Sequence, residues 1–310
     1  MEIKKLQQNM VDRDIIQGWF KELQSAIAGQ LEEADGKGKF ILDPWERPGG
    51  GGGVSAVLTN GDIIEKGGVN FSAVWGQAPA AVLQSMNMEP TPDIEFFATG
   101  VSIVMHPVNP MVPIIHMNVR YFEINEGSWW FGGGIDLTPH YVDREDAAYF
   151  HRTLKAVCDK HHNTYYAEFK RWADDYFYLK HRKETRGIGG IFFDYLKGNT
   201  NFTRESRFSF VQDVGLTFAP LYIHFMKKNH LLPFGEKEKA WQALRRGRYV
   251  EFNLVWDRGT RFGLDTDGRT ESILMSLPPE ARWAYNHQPQ EGTREAETLS
   301  LLRKNINWSS

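Results

Sequence analysis

The sequence predicts an α+β fold: a large, mostly antiparallel β-sheet flanked by α-helices on both sides, in a single domain that spans residues 1–310. Two short turns, Asn60-Gly61 and Asn125-Glu126-Gly127, separate apolar runs of strand length, which is typical of β-hairpins. Strand-like segments come first and helix-like segments follow, so the regular alternation of a doubly wound parallel sheet is missing. No internal repeat or Pro/Ser-rich linker divides the chain.

The first element is an N-terminal helix, expected within residues 1–35 and packed on the rest of the domain. Apolar residues there recur at helical spacing and form one stripe. That stripe contains Ile15, Ile16, Trp19, Phe20, Leu23 and Ile27.

Strands are expected next, because β-branched and aromatic residues then dominate between turn signals. The strand regions are residues 54–75, 96–105, 112–123 and 128–137. Within the first region, Asn60-Gly61 predicts a hairpin and Gly67-Gly68 predicts a further break.

Helical patterns fill most of the remainder. We expect helices over residues 143–161, 165–183, 204–229, 236–245 and 291–304, and one last strand over residues 249–256. Asp143 is a suitable N-cap, and Glu145 and Asp146 lie near the positive end of the helix dipole.

Composition excludes several classes of protein. The formal net charge of -3 provides no long-range attraction to nucleic acid or anionic lipid. The only cysteine, Cys158, rules out a disulfide framework, a Cys-rich zinc site and a Cys-ligated iron–sulfur cluster. The first 20 residues lack a signal or transit pattern, and no 18-residue apolar stretch occurs. A cytoplasmic protein without a membrane span is therefore expected.

The most informative strand is the segment IIHMNVRYF. Side chains alternate along a strand, so His116, Asn118 and Arg120 share one face. This face is either a solvent-facing polar stripe or part of a pocket, and the apolar residues Ile114 and Phe122 at its two ends favour the pocket.

A second candidate site is WWFGGGIDLTP, where three glycines allow close approach of a backbone or a ligand. Asp136 follows them among apolar neighbours. It either caps a local turn or accepts protons from a ligand, with a pKa raised by burial.

Arginines near the end of the chain form a third candidate site. Asp257, Arg258, Arg261 and Arg269 lie close together in sequence. They either recognise carboxylates, which match the guanidinium fork, or form ordinary surface ion pairs.

The histidines give no metal-binding pattern. His106, His116, His151 and His181 are widely spaced, and none belongs to a compact ligand motif such as HExxH. We therefore expect no metal site, because nothing in the spacing indicates that these four side chains meet in space.

Six motifs in order give the chain a resemblance to the oxygen-dependent coproporphyrinogen oxidase family. They are GGGGGVSAVLTNGDIIEKGGVNFSAVWG, FFATGVSIVMHPVNP, HMNVRYFE, WWFGGGIDLTP, YFYLKHRKETRGIGGIFFD and VEFNLVWDRGTRFGL with GRTESILMSLPP. The similarity runs from about Phe40 to the C-terminus, and RGIGGIFFD and FNLVWDRGT are each specific by themselves.

The resemblance implies a homodimer that converts two propionates of coproporphyrinogen III to vinyl groups in haem biosynthesis. Each step would consume O2 and release CO2 and H2O2, with no metal or organic cofactor.

The resemblance also implies roles for individual residues. His116 matches a proposed proton donor, and Asp136 and Arg258 match residues thought to hold the pyrrole NH groups and a propionate. Substrate contacts are implied for Ser102, Asn118, Val119, Arg120, Asp267, Gly268 and Arg269. Asp267 stands where the family usually has a second glycine. Arg186 matches a position sensitive to substitution, more through structure than chemistry. His181, residues 57–66 and residues 249–285 match regions linked to dimer formation.

From these roles we expect Asp136 to accept pyrrole NH hydrogen bonds, the arginines to hold carboxylates, and His116 to handle protons. Two alternatives stay open: a metal-dependent oxygenase or hydrolase that uses the histidines, and a non-catalytic tetrapyrrole-binding protein.

Overall fold

A seven-stranded antiparallel sheet organises the molecule. The computed structural model describes residues 11–78, 83, 94–125, 127–265 and 268–309. The strands are β1 (Ile41–Glu46), β2 (Gly51–Thr59), β3 (Ile64–Gln77), β4 (Glu95–Pro107), β5 (Ile114–Ile124), β6 (Ser128–Thr138) and β9 (Gly189–Leu196), with a separate hairpin of β7 (Tyr178–Leu179) and β8 (Glu184–Thr185). The first six strands follow in chain order and β9 pairs with β6, so β1 and β9 are the two edges.

Helices precede and follow the strands. They are α1 (Arg13–Asp35), α2 (Arg144–Asp159), α3 (Tyr165–Tyr176), α4 (Arg204–Asn229), α5 (Glu236–Glu251), a π-helix (Phe252–Trp256), α6 (Arg258–Asp265), α7 (Thr270–Leu274) and α8 (Arg294–Leu301). Among the described residues, none of these helices is both long and apolar enough to cross a bilayer.

Helices cover both faces of the sheet. On one face, Val101, Val119 and Ile135 belong to the main core together with apolar side chains of α1, α2 and α4. On the other face, Tyr249 of α5 packs on Val104 and Ile114. The α+β expectation is therefore confirmed.

The two predicted hairpins and the Asp143 cap are present. Asn60 has φ 58°, the left-handed region that asparagine tolerates, and β2 pairs with β3 around it. The second hairpin closes with Ile124 opposite Ser128. Asp143 caps α2 by accepting a hydrogen bond from the backbone N–H of Asp146, and α4 has the predicted bounds.

One buried carboxylate joins α1 to the first hairpin. Asp35, at the end of α1, accepts hydrogen bonds from the backbone N–H groups of Gly38, Asp62, Ile63 and Ile64. Burial raises its pKa, but these four donors outweigh burial and hold the pKa below its usual value.

The predicted break at Gly67-Gly68 is wrong, because both glycines lie inside the 14-residue strand β3. They pack closely against methionine side chains and form no turn. A Cβ on Gly67 would lie 2.2 Å from Sδ of Met105, and one on Gly68 would lie 1.8 Å from Sδ of Met275.

The predicted strand over residues 249–256 is also wrong. Helix α5 continues to Glu251 and runs directly into the π-helix. The aromatic and β-branched residues there favour a strand locally, but Tyr249 and Phe252 are buried three positions apart while Leu254 and Val255 are exposed. Tertiary packing overrides the local preference.

Other boundaries shift. The helix expected over residues 165–183 ends at Tyr176, and the C-terminal helix is limited to α8. The edge strands β1 and β9 were not predicted. Helix α1 begins at Arg13, capped by Asp12, and the part of the expected N-terminal helix within residues 1–10 lies outside the described residues.

Candidate functional site

The sheet face opposite the main core carries small and polar side chains. They are Gly53 and Ser55 on β2, Gly68, Asn70 and Ser72 on β3, Gly100 and Ser102 on β4, His116, Asn118 and Arg120 on β5, and Gly132, Gly134 and Asp136 on β6. The side chains of His116 and Arg120 are 20% and 35% exposed, so this face is neither buried core nor a fully solvated stripe. The glycines accommodate neighbouring side chains, because a Cβ on Gly53 would meet Trp45 and one on Gly68 would meet Met275. The polar groups can supply hydrogen bonds to a ligand beside them.

Strand register brings several predicted residues together. Ser102 on β4 lies directly opposite Asn118 on β5, and both are half-buried on this face. Val119 is placed differently, because its side chain is fully buried in the main core. Only the backbone of Val119 borders the candidate site.

His116 and Asp136 are also opposite each other in register, on β5 and β6. Nδ1 of His116 lies 2.8 Å from Oδ1 of Asp136. The guanidinium of Arg186 binds the same carboxylate from Nη2 to Oδ1 at 2.6 Å and from Nε to Oδ2 at 3.1 Å. Both oxygens of Asp136, which is 1% exposed, are therefore occupied by protein donors.

Arg186 is itself enclosed by aromatic rings. Its guanidinium carbon lies 4.4 Å, 4.6 Å and 4.8 Å from the ring centroids of Phe177, Phe252 and Tyr249. Nη1 of Arg186 donates to Oδ1 of Asn253 at 3.1 Å. Cation–π contacts and hydrogen bonds thus replace the water that this charge loses on burial.

The electrostatics of Asp136 differ from the expectation. Burial raises the pKa of its carboxyl, but the charge of Arg186 and the hydrogen bonds from His116 and Arg186 outweigh burial and hold the pKa below its usual value. The expected upward shift is wrong. An ionised carboxylate only accepts hydrogen bonds, so Nδ1 of His116 carries the proton in this pair. In the neutral imidazole, Nε2 is then the free acceptor.

Arg120 is held in place by two acceptors. Its Nη1 donates to Oδ1 of Asn118 and its Nη2 to Oδ2 of Asp194 on β9, each at 2.8 Å. Gly132 makes this arrangement possible, because a Cβ there would lie 2.5 Å from Oδ1 of Asp194 and 2.8 Å from Nη2 of Arg120.

Arg258 lies beside the β9 end of the sheet. Its guanidinium carbon is 6.0 Å from the ring centroid of Tyr176, which stacks on Phe192 of β9 at 4.1 Å. The Tyr176 hydroxyl donates to Oδ1 of Asp257 at 2.8 Å. Arg258 is solvent-exposed, and among the described side chains no carboxylate binds its guanidinium.

Arg269 lies at the opposite end of the sheet. Its Nη2 donates to Oδ2 of Asp43 on β1, and its Nη1 lies 3.4 Å from Oγ of Ser55 and 3.3 Å from Oγ of Ser272. The backbone N–H of Gly268 donates to the carbonyl of Gly263 at 2.8 Å. Asp267 lies outside the described residues.

His181 belongs to a different surface. Its Nε2 donates to Glu251 at 2.7 Å and its Nδ1 accepts from Nε1 of Trp256 at 2.9 Å. Arg182 and Trp283 also donate to Glu251. This cluster lies beside exposed apolar residues of the π-helix.

The four widely spaced histidines have separate partners. His106 binds the carbonyl of Ser276, and His151 binds the Tyr166 hydroxyl and the carbonyl of Ile188. Burial lowers the pKa of both to about 3, which makes them neutral. In the part of the chain that the structure describes, no group of three or more His, Cys, Asp or Glu side chains is arranged to hold a metal ion.

Sequence reasoning missed several contributors. Asn70, which donates to the carbonyl of Ser272, lies in register between Ser55 and Ser102. Asp43 binds Arg269, and Asp194 binds Arg120. No local signal identifies these residues, because Asp194 is 74 positions from Arg120 and Asp43 is 226 positions from Arg269.

An antiparallel sheet with a floor of small and polar residues, a His–Asp pair and arginines at both ends has the chemistry that an anionic organic ligand requires. Comparisons with known proteins identify the family. Residues 15–308 match the family model described as Coproporphyrinogen III oxidase, and the chain belongs to this family.

Three relatives show how far the similarity extends. The chain is 49% identical to the oxygen-dependent coproporphyrinogen-III oxidase of Drosophila melanogaster, covering 93% of this chain and 76% of that protein. It is 50% identical to the mitochondrial enzyme of Homo sapiens, covering 93% and 65%. It is 47% identical to the enzyme of Parasynechococcus marenigrum, covering 92% and 84%.

Proposed function

We propose that this protein is an oxygen-dependent coproporphyrinogen III oxidase of haem biosynthesis. It converts two propionates of coproporphyrinogen III to vinyl groups and yields protoporphyrinogen IX. Each decarboxylation uses one O2 and gives one CO2 and one H2O2. The observation that carries this proposal is the polar row His116, Asn118 and Arg120 on a partly exposed, glycine-rich sheet face with Arg258 and Arg269 at its two ends.

The arginines recognise the carboxylates of the substrate. A guanidinium is always charged and matches the two oxygens of a carboxylate. Arg120 lies on the floor of the site, and Arg258 and Arg269 approach from opposite ends of the sheet. Ser102, Asn118, the Val119 backbone and Gly268 complete the contacts, and Asp267 is proposed from the resemblance alone.

His116 accepts and returns the proton that moves during the reaction. Its Nδ1 is held by Asp136, so the Nε2 lone pair is available to a pyrrole N–H or to the propionate chain. The ionised Asp136 stabilises the imidazolium that results, which is the usual role of a carboxylate behind a catalytic histidine. Direct acceptance of pyrrole NH groups by Asp136 is less favourable, because Arg186 and His116 already bind both of its oxygens.

Oxygen reacts with the substrate itself in this proposal. A porphyrinogen is electron-rich, and loss of a pyrrole proton to His116 increases its carbanion character, so O2 adds beside the ring nitrogen. The bound peroxide takes a proton from the propionate methylene next to the ring, and its bond to the ring carbon breaks, so that it leaves as H2O2 after one further protonation. Loss of CO2 then forms the vinyl double bond and returns an electron pair to the ring, and His116 gives the proton back to the ring nitrogen. The protein binds and orients the substrate and moves protons. We propose that it needs no metal or organic cofactor.

Homodimer formation in the cytoplasm completes the proposal. The π-helix exposes Leu254 and Val255 by 44% and 49%, and the nearby segment exposes Trp283 and Tyr285 by 54% and 102%. Apolar patches of this kind mark protein–protein contacts. Sedimentation equilibrium is expected to give twice the chain mass, and Val255→Glu is expected to shift it toward the monomer, with His181→Ala as a second variant in the same region.

The deciding experiment is turnover by metal-stripped protein. Coproporphyrinogen III is supplied with and without O2, and protoporphyrin fluorescence is followed after oxidation of the product. We expect product only in air and no effect of a chelator. Binding without product in air would indicate a tetrapyrrole-binding protein, and activity restored only by added metal would indicate a metalloenzyme.

His116→Gln tests the catalytic role in the same assay. General acid–base groups accelerate a reaction by about 10²–10⁴-fold, so kcat of the variant is expected to fall by at least about 10²-fold. His287→Gln is the matched control, because His287 is an exposed histidine whose ring lies 6.1 Å from Trp241, away from the sheet floor.

A further inference from the structure

Two arginines of the site are already bound to carboxylates of the protein. Asp194 on β9 binds Arg120, and Asp43 on β1 binds Arg269. The two aspartates belong to the two edge strands of the sheet. Each therefore reaches inward from one border of the site.

These contacts use only part of each guanidinium. Arg120 donates one hydrogen bond to Asp194, from Nη2, and one to Asn118, from Nη1. Arg269 likewise donates a single hydrogen bond to Asp43, from Nη2, while its Nη1 faces the hydroxyls of Ser55 and Ser272. A free carboxylate can bind a guanidinium through two parallel hydrogen bonds, which is the stronger arrangement.

Solvent exposure also favours replacement of each aspartate by another anion at its arginine. The side chains of Asp43 and Arg269 are 51% and 28% exposed, and those of Asp194 and Arg120 are 21% and 35% exposed. Exposed ion pairs are weak, so little is lost when another anion replaces one partner.

The Arg186–Asp136 pair shows the contrast. Its side chains are 2% and 1% exposed, and the guanidinium uses Nε and Nη2 on the same carboxylate. That pair is structural and closed to ligands.

We propose that Asp43 and Asp194 are internal carboxylate ligands, which hold Arg269 and Arg120 in the unliganded protein and are displaced by carboxylates of the substrate. The inference rests on the proposed function for the identity of the ligand, a tetrapyrrole with several carboxylates. The two aspartates keep each arginine oriented toward the site, and they weaken substrate binding by competing for the same cations.

The test is direct binding of coproporphyrin III, the stable oxidised tetracarboxylate, measured by fluorescence without turnover. Asp43→Asn is expected to lower Kd about two- to fivefold, the range that corresponds to an exposed ion pair. Asp194→Asn is expected to lower Kd by at least as much, because its pair is less exposed. Asp194 also accepts the Tyr195 N–H, which an asparagine oxygen can retain.

Two controls isolate the effect. Asp159→Asn changes the net charge equally, but Asp159 pairs with Lys155 on α2, which packs on the opposite face of the sheet. The tetramethyl ester of coproporphyrin III lacks carboxylates, so its Kd should not respond to Asp43→Asn. If Asp194→Asn does not fold, the Kd of Asp43→Asn for coproporphyrin III alone tests the inference.

Unchanged or weaker coproporphyrin binding by Asp43→Asn would overturn the inference, as would an equal gain from Asp159→Asn or an equal gain for the ester. The proposed oxidase activity is judged separately, by product formation in air. Tighter binding by Asp43→Asn in a protein that forms no product would keep this inference and reject the oxidase.

Discussion

Arg186 binds both carboxylate oxygens of Asp136, at 2.6 Å to Oδ1 and 3.1 Å to Oδ2, and Oδ1 also holds His116. The aspartate is thereby kept ionised in a fully buried position. The only member of this triad with appreciable exposure is His116. In the proposed mechanism, this relationship leaves His116 to meet the substrate and Asp136 and Arg186 to support it.

The first prediction concerns Asp136→Asn. An amide carries no charge to stabilise the His116 imidazolium, and its NH2 group can reverse the imidazole tautomer. We expect kcat to fall by about 10²-fold or more, measured by product fluorescence, while the circular dichroism spectrum is retained. Near-normal turnover in a folded Asp136→Asn protein would contradict the assigned role.

The second prediction concerns the stability of the buried pair. Arg186→Met leaves a buried carboxylate without its main partner, which costs about 3–5 kcal/mol in comparable cases. Urea unfolding is expected to show a loss of that size. The control is Arg171→Met on the exposed side of α3, expected to change stability by less than about 0.5 kcal/mol. A loss for Arg186→Met no larger than that of the control would contradict the electrostatic account.

The third prediction concerns Gly132→Ala. The new Cβ would meet Asp194 and Arg120 at 2.5 Å and 2.8 Å, so the arginine must move away from its position on β5. We expect KM to rise at least about tenfold. Gly29→Ala in α1 is the matched control, because a Cβ there has no neighbour within 4 Å. That variant should gain about 0.5–1 kcal/mol of stability from the lower chain entropy of alanine and keep its KM.

The fourth prediction concerns acid stability at the His181 surface. Burial raises the pKa of Glu251, but hydrogen bonds from Arg182 and His181, the charge of Arg248 and the Trp283 N–H lower it to about 2. An unfolded glutamate has a pKa of about 4.3. Because the folded pKa is the lower one, this contribution is full above the unfolded pKa and is lost as pH falls through the folded pKa.

Glu251→Gln should therefore be less stable than the wild type at pH 7, and the difference should shrink as pH falls from about 5 to about 2. Thermal unfolding at several pH values measures this. Glu33→Gln, at an exposed position of α1, reports the effect of net charge alone. A stability difference independent of pH would show that Glu251 acts only through packing.

Local sequence patterns were sufficient for most of the sheet and for one row of the site. The hairpin at Asn60-Gly61 depends on a residue that tolerates positive φ. The row of His116, Asn118 and Arg120 follows from strand alternation alone. Helix α4 has the predicted bounds, and Thr203 caps its first turn.

Local patterns failed where distant segments decide the structure. The segment from Tyr249 to Trp256 has the composition of a strand, yet its packing around Arg186 makes it helical. The downward pKa shift of Asp136 depends on a guanidinium 50 positions away. Burial alone, which the sequence suggests, gives the opposite direction.

The sequence by itself determined the fold class, the strand that carries the candidate site and, through its motifs, the family. Those properties depend on periodicity and turn chemistry, which act over a few neighbouring residues. Only the tertiary structure decided that Asp136 is enclosed, that His116 faces outward, and that Asp43 and Asp194 bind the arginines. Such pairings depend on which strands become neighbours in the sheet, and Coulomb forces and hydrogen bonds act only once folding has brought those side chains together.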